Sequence, residues 1–398
     1  MNLALETIRE AAKPSTFIIG CGCPIGSGIN LMNSMRISAD TGHTWCWPIP
    51  WWDNGTLPSL KGMIRNTLNR SMLSFRWWHN DPDCLMLGDA TRLTRDELIS
   101  AASIVGMTSG MLLLSDDLAK MRKERLDIAK KIFPITGATA IPMDLHSNLN
   151  SFPSVLKLSC KDESAIRNDF GIHYEAKEKL RNCIQVTENL ESWKIVCLSN
   201  WQKRVTSVHL SLLDLLKDYI TETRFGFHVF EFWSSKYRWI QAPIDSSNAN
   251  LSKILPPHGS EIFHLKPMQP HRPQYIGSTI HFSCGFEVKS FNFNENTLWL
   301  NLKNEWKREG WVFLFVPGSN NALRASIDDS GGGTETPLPL FVVQTFDKNT
   351  NDESTGKYTN KSSLIGRIIK LQISIPGKTS PYAEIQNNNG HGIIKVRF

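Results

Sequence analysis

The feature that most constrains the fold is a change in sequence pattern near residue 150. Before it, helical and strand-like segments alternate. After it, short runs rich in Val, Phe, Trp and Ile are separated by Gly, Pro, Asn and Ser. Alternation is typical of parallel strands joined by crossover helices, and short separated runs are typical of antiparallel sheets. We therefore expect an α/β unit over residues 1–150 and an antiparallel β-sandwich over 151–398, divided into two parts near residue 268.

The pattern of residues 1–150 predicts an initial helix followed by four βα units. Apolar residues at helical spacing predict the helices, and short apolar runs predict the strands. The predicted helices cover 5–12, 60–75, 95–105 and 118–133, and the predicted strands cover 17–20, 35–38, 84–87 and 111–114. Four βα units do not close an eight-stranded barrel. This part is therefore half of such a barrel or a small open sheet.

Charge and hydropathy exclude two classes of partner. The chain has 44 Lys and Arg against 38 Asp and Glu, a net charge of +6, and no run of basic residues. This excess is too thin to indicate a nucleic-acid partner. No apolar stretch reaches the roughly 18 residues of a membrane span, so we expect no membrane association. Charged residues within the first 13 positions argue against a signal peptide.

Cysteine usage indicates neither a disulfide scaffold nor a metal site. Eight Cys in 398 residues is ordinary usage, and unpaired, reduced Cys favours a cytoplasmic location. Cys21 and Cys23 form a C-x-C motif, but no second pair lies at a distance that suits zinc. We therefore expect no metal and no other cofactor.

Three short acidic motifs accompany three consecutive predicted strands: Arg36–Asp40, Asn80–Asp83 and Ser115–Asp117. The strand ends at one face of a βα barrel build its active site. Each Asp is also a candidate cap for the following helix. However, six of the 13 Trp lie within 34 residues, and clustered Trp suits a sugar site or an interface. Together, the acidic motifs and the Trp cluster favour a carboxylate-lined sugar pocket.

At this point the motifs resemble those of a known family, the α-galactosidases of glycoside hydrolase family 36. The last two motifs also resemble those of the related family 27. The motifs are Phe17–Pro24, Met35–Thr41 with Trp45, Asn80–Asp83 and Leu114–Leu118. The resemblance implies that residues 1–150 form the C-terminal half of a (β/α)8 TIM barrel, that is, its strands five to eight. The β-rich remainder resembles the domain that follows the barrel, with less specific motifs at Trp193–Trp201, His228–Trp233 and Pro256–Ser260.

The resemblance also implies a mechanism and residue roles. The family cleaves terminal α-galactosides with retention, using one Asp as nucleophile and another as acid/base. By motif match, Asp40 is the acid/base. The residues that resemble the family's substrate contacts are Arg36, Cys21, Asp83 and Trp45. Three further residues either support that shell or cap helices: Asp81, Asp116 and Asp117. The implied substrates are raffinose-series sugars, galactolipids or galactomannan side chains.

The sequence departs from the family at the nucleophile. That residue belongs to a Lys-x-Asp motif on the fourth barrel strand, and no such motif stands at a predicted strand end here. Lys161-Asp162 lies past the last predicted helix, in the wrong context. We therefore expect a C-terminal portion that is inactive alone and that self-associates through exposed strand edges. The alternatives are an inactive fragment that binds a sugar or a partner, an α-N-acetylgalactosaminidase, and a transferase like raffinose synthase.

Overall fold

The protein, described here from a computed structural model, consists mostly of β-strands with few helices. The structure describes residues 2–49, 57–145, 152–162, 181–216, 225–241, 250–303, 308–318, 322–328, 335–348, 363–375 and 393–398. In these ranges no helix combines the length and the apolar character needed to cross a membrane. The helices are α1 (Asn2–Ala11), α2 (Leu60–Arg70), α3 (Arg95–Thr108), α4 (Lys123–Ile132) and α5 (Leu212–Leu216).

Within the described residues the strands fall into five hydrogen-bonded sheets. Those of the first half are β1 (Ile19–Gly20), β2 (Ser34–Arg36), β3 (His79–Asp81), β4 (Ile141–Pro142), β5 (Val155–Asp162), β6 (Cys183–Val186), β7 (Trp193–Ser199), β8 (Thr206–Ser211), β9 (Phe227–Glu231) and β10 (Lys236–Ile240). The later strands are β11 (Asn250–Leu255), β12 (Ser260–Pro267), β13 (Gln274–Ser278), β14 (Val288–Phe293), β15 (Thr297–Leu302), β16 (Arg308–Pro317), β17 (Arg324–Asp328), β18 (Glu335–Pro337), β19 (Leu340–Lys348), β20 (Ser363–Ile375) and β21 (Ile393–Arg397).

The first sheet is parallel, as predicted, in the order β1-β2-β3. Beyond β3, the Met111 amide donates to the Asn80 carbonyl, and Cys84 forms a parallel bridge with Leu113. The strand predicted at 84–87 is wrong, because the third strand is β3. Its residues are polar, so the apolar pattern did not reveal them. Residues 111–114 contribute this bridge rather than a full strand.

Helices α2 and α3 begin where their capping residues predict, whereas α4, predicted from residue 118, begins at Lys123 without a side-chain cap. The Ser59 side chain accepts a hydrogen bond from the Gly62 amide at the start of α2. Thr94 and Glu97 form a capping box at the start of α3, in which each side chain binds the other's backbone amide. Side chains at the N-terminus satisfy amides that have no partner within the helix. Both helix starts were therefore readable from sequence.

The remaining sheets are antiparallel apart from the β5–β6 pair. The largest has the order β10-β9-β12-β7-β5-β4, with β6 also on β5. The others are β11-β8, β13-β16-β20-β19 and β14-β15-β21-β17-β18. The run of Val, Ile and Trp at 193–199 predicts a strand that β7 matches in full, whereas a strand predicted from the apolar residues at 279–282 is wrong, because β13 ends at Ser278. Strand β4 already belongs to the largest sheet, so below we name residues 2–140 the α/β region and 141–398 the β region.

One hydrophobic cluster joins the two regions. It contains Ile104 of α3 and Ile132 of α4 together with Trp193 of β7 and Phe282. A methyl group added at Gly106 of α3 would lie 3.2 Å from Ile132 and 3.4 Å from Phe282, so the helix packs closely there. Helices α3 and α4 are thus held against the β region. The half-barrel, the sandwich and the divisions near residues 150 and 268 stay predictions.

Candidate active site

The side chain of Arg36, the last residue of β2, forms ion pairs with three carboxylates. Its Nε lies 2.9 Å from Oδ2 of Asp81, and its Nη1 lies 3.0 Å from Oδ1 of Asp83. Nη1 also lies 3.5 Å from Oδ1 of Asp40. We name these four residues the Arg36 cluster. The structure therefore brings together four of the residues that the sequence predicted for the site.

Sheet register explains why these residues meet. Strands β2 and β3 are parallel neighbours in which Arg36 lies opposite Asp81, so both strands end at the same edge. The chain then turns at Asp83, whose φ of +77° is unusual for a residue other than glycine. The Asp83 amide donates to Oδ1 of Asp81 at 2.9 Å, which holds this turn. Asp81 thus pairs with the Arg36 guanidinium through one oxygen and accepts the Asp83 amide through the other.

The cluster combines two buried carboxylates with one exposed carboxylate. The side chain of Asp81 is 2% exposed, whereas that of Asp40 is 75% exposed. Burial alone would lower the pKa of Arg36, but the hydrogen bond to Asp81 and the charges of Asp81 and Asp83 outweigh it, and the pKa is raised. Arg36 therefore stays cationic and compensates the buried acids. Asp40 faces solvent beside this fixed positive charge.

Asp83 also fixes the chain next to Asp40. Its Oδ2 accepts a hydrogen bond of 2.6 Å from the Thr41 amide. The Thr41 hydroxyl is buried and has no hydrogen-bond partner in the part of the chain that the structure describes. Thr41 ends the Met35–Thr41 motif directly after Asp40, but the sequence assigned it no role. The buried Thr41 hydroxyl is therefore available to hydrogen-bond a bound water or ligand.

Cys21 and Trp45 differ in their relation to the cluster. Cys21 is exposed and directly follows β1, the parallel neighbour of the strand that ends at Arg36. The ring of Trp45 is buried and lies parallel to that of His258, with centroids 3.9 Å apart. It also stacks on Trp201 at 6.1 Å. This packing covers Trp45, so we do not include it among the sugar contacts proposed below.

Asp116 and Asp117 have local partners. Oδ2 of Asp116 accepts a hydrogen bond from the Leu87 amide at 2.6 Å, which links residues 84–87 to the next acidic motif. Oδ1 of Asp117 accepts from the Ala119 amide, and its Oδ2 lies 3.0 Å from Nζ of Lys120. These contacts fit a supporting role, whereas neither Asp caps a helix, because α4 begins at Lys123 with Arg122 at its N-cap and no side-chain cap.

Two cavities lie away from the cluster. One has a volume of about 520 Å³ and is lined by apolar residues of 140–145 with Arg76 and Arg181. The other, about 480 Å³, lies between α4 and Thr279 and contains Lys131. Among the described residues, no group of three or more His, Cys, Asp or Glu is arranged to hold a metal ion.

No family model matches the sequence. Solved structures that resemble this chain include α-galactosidase I from Mortierella vinacea, at 13% identity and a TM-score of 0.45 over 66% of this chain and 61% of that one. A family 27 β-L-arabinopyranosidase from Geobacillus stearothermophilus aligns at 14% identity and a TM-score of 0.44, over 67% and 54%. An α-galactosidase from Thermus thermophilus aligns at 23% identity and a TM-score of 0.29, over 33% and 27%.

The chain therefore spans less than two thirds of the length of each of these structures. The sequence motifs and the geometry of the Arg36 cluster are the features that point to an activity.

Proposed function

We propose that this chain is an α-galactoside-binding protein of the retaining glycoside hydrolase type, with Asp40 as the acid/base. The Arg36 cluster carries the proposal, since it offers one exposed carboxylate beside a cation fixed by two buried acids. A general acid must reach the leaving-group oxygen, and the exposure of Asp40 allows this. The motif resemblance supplies the sugar class: raffinose-series sugars, galactolipids or galactomannan side chains.

The other members of the cluster have supporting roles in this proposal. Arg36 donates to sugar hydroxyls and keeps Asp40 in place. Asp81 and Asp83 hold the guanidinium, and Asp83, whose side chain is 11% exposed, also accepts a sugar hydroxyl. Cys21 borders the site, and the unpartnered Thr41 hydroxyl is a candidate for a bound water or a sugar hydroxyl. No metal or cofactor takes part.

A second candidate function is sugar binding without turnover. Retention needs two carboxylates about 5 Å apart, on either side of the sugar. Asp81 and Asp83 are both already paired with Arg36 and bound to backbone amides. Neither is therefore suited to attack the anomeric carbon. For the isolated chain we expect binding of galactose without hydrolysis.

Two measurements on the purified chain test the proposal. Saturation-transfer NMR with galactose should show binding that Arg36→Met abolishes, and the absence of binding to the unchanged chain would overturn the sugar site. Assays of galactose release from raffinose and from an aryl α-galactoside should show no turnover above background. Turnover of both substrates that Asp40→Asn leaves unchanged would overturn the role of Asp40.

If turnover does occur, the leaving group distinguishes the roles. Asp40→Asn should then lower the rate on raffinose by about 10² to 10⁴, because the natural leaving group needs protonation. The loss on an aryl galactoside should be smaller. An equal loss on both would refute the acid/base role. An N-acetylgalactosaminide and a galactosyl acceptor, tested in parallel, separate the two related activities.

A further inference from the structure

Two kinds of contact hold the loop that carries Asp40: backbone hydrogen bonds to α2, and packing of the Trp45 side chain on the β region. Residues 40–46, here named the Asp40 loop, follow β2. The Thr44 and Trp45 carbonyls accept hydrogen bonds from the Leu60 and Lys61 amides at the start of α2. These bonds fix the far end of the backbone. The orientation of the loop depends in addition on where the Trp45 side chain is packed.

Trp45 packs on side chains of the β region. Its ring is nearly parallel to the His258 imidazole, at an interplanar angle of 9° and a centroid distance of 3.9 Å. Trp201 stacks against it at 21° and is itself held by a hydrogen bond from its indole nitrogen to the Pro153 carbonyl. Aromatic stacking of this kind fixes a ring more closely than apolar burial alone.

His258 is in turn fixed on α3. Its Nδ1 lies 2.8 Å from Oε1 of Glu97, whose other oxygen accepts the Thr94 amide in the capping box. The Ser100 hydroxyl donates to the His258 carbonyl at 2.5 Å. The backbone of His258 has a φ of +55°, which an ordinary side chain rarely adopts. Such a conformation persists where several contacts determine it together.

We propose that His258 is a positioning residue for Asp40. It acts through Trp45: the imidazole, anchored by Glu97, fixes the indole, and the indole limits the conformations of the Asp40 loop. This inference rests on the proposed function for its catalytic meaning, but the restraint on the loop is a property of the fold. The β region thereby contributes to a site built on the α/β region.

Two variants separate the two contacts of His258. His258→Asn removes the ring, and Asn tolerates a positive φ. His258→Phe keeps a ring for the stack and removes the bond to Glu97. His209→Ala is the matched control, because His209 is exposed and pairs with Ser252 on the β8–β11 sheet.

Hydrogen exchange followed by mass spectrometry gives the local readout. In His258→Asn, amides of peptides covering residues 37–46 should exchange about two- to tenfold faster. His258→Phe should show a smaller increase, and His209→Ala none. Unchanged exchange at 37–46 in His258→Asn would overturn the inference. An equal increase in peptides of β7 would do so too, because it would indicate general destabilisation.

Activity gives a second readout that depends on the proposed function. Where the unchanged chain releases galactose, His258→Asn should lower kcat on raffinose more than on an aryl galactoside, as expected for a misplaced general acid. An equal loss on both substrates would overturn the link to Asp40. Where the chain releases none, as expected above for the isolated chain, this readout does not apply, and the exchange data alone decide the positioning role.

Discussion

The first sheet and the largest sheet are stabilised in different ways. Strand β1 has two residues, of which Ile19 is 44% exposed, and α1 has no buried residue. In contrast, every residue of β7 and of β12 is buried. A short strand at an edge contributes few hydrogen bonds and little apolar burial. The candidate site therefore lies on a short sheet with a weakly packed β1 edge, and ion pairs and contacts from the β region support it.

The largest expected effect tests the apolar burial that stabilises the largest sheet. Trp193→Ala removes a fully buried ring of β7 that also packs under Nζ of Lys266, 4.2 Å from the ring centroid. We expect the free energy of unfolding to fall by about 3–5 kcal/mol, the usual cost of such a cavity. Urea unfolding followed by circular dichroism measures it. Trp77→Ala, at a ring that is 39% exposed in the α/β region, should cost much less, and equal costs would contradict the comparison.

The second-largest expected effect tests the ion pairs that stabilise the first sheet. Arg36→Met leaves the buried Asp81 without its cation, and breaking a buried pair in this way costs about 3 kcal/mol. Urea unfolding should show the loss at neutral pH. The double variant Arg36→Met with Asp81→Asn should recover part of it, because the uncompensated charge is then absent. If the double variant is no more stable than the single one, the cluster does not stabilise the region through charge pairing.

A smaller effect concerns acid sensitivity of the β region. Burial lowers the pKa of His264 to about 3 and that of His228 to about 3, against an ordinary value of 6.5. The unfolded chain therefore binds protons that the folded chain excludes, and stability falls as the pH drops below 6.5 towards 3. At pH 5 each residue should cost about 2 kcal/mol relative to pH 7.

His264→Phe isolates one of these contributions. The difference in unfolding free energy between pH 7 and pH 5 should shrink by about 2 kcal/mol in this variant. His209→Ala, at an exposed imidazole, should leave the difference unchanged. A pH dependence that His264→Phe does not alter would mean that His264 is protonated in the folded chain as readily as in the unfolded one.

The sequence predicted the parts of the fold that depend on local patterns. The β7 range and the two helix caps follow from alternation, apolar content and capping residues. The family resemblance implied that Arg36, Asp40 and Asp83 share one site, but the predicted strands did not, because the strand predicted at 84–87 begins after Asp83. Strand β3 was missed because His79–Asp81 is polar, and its pairing depends on neighbours. The packing of Trp45 against His258 was beyond prediction, because it joins distant segments through tertiary structure.

The smallest expected effect comes from α1. Leu3 is 77% exposed, and the helix buries none of its residues, so Leu3→Ala removes almost no contact. The free energy of unfolding should change by less than about 0.5 kcal/mol, the usual range for exposed positions. Alanine is also a better helix former than leucine, so a slight gain fits the same account. A loss above 1 kcal/mol, approaching about one third of the Trp193→Ala cost, would show that α1 is covered in solution. If that loss grows with protein concentration, a second copy of the chain covers α1, because a bound copy stabilises the folded state by mass action.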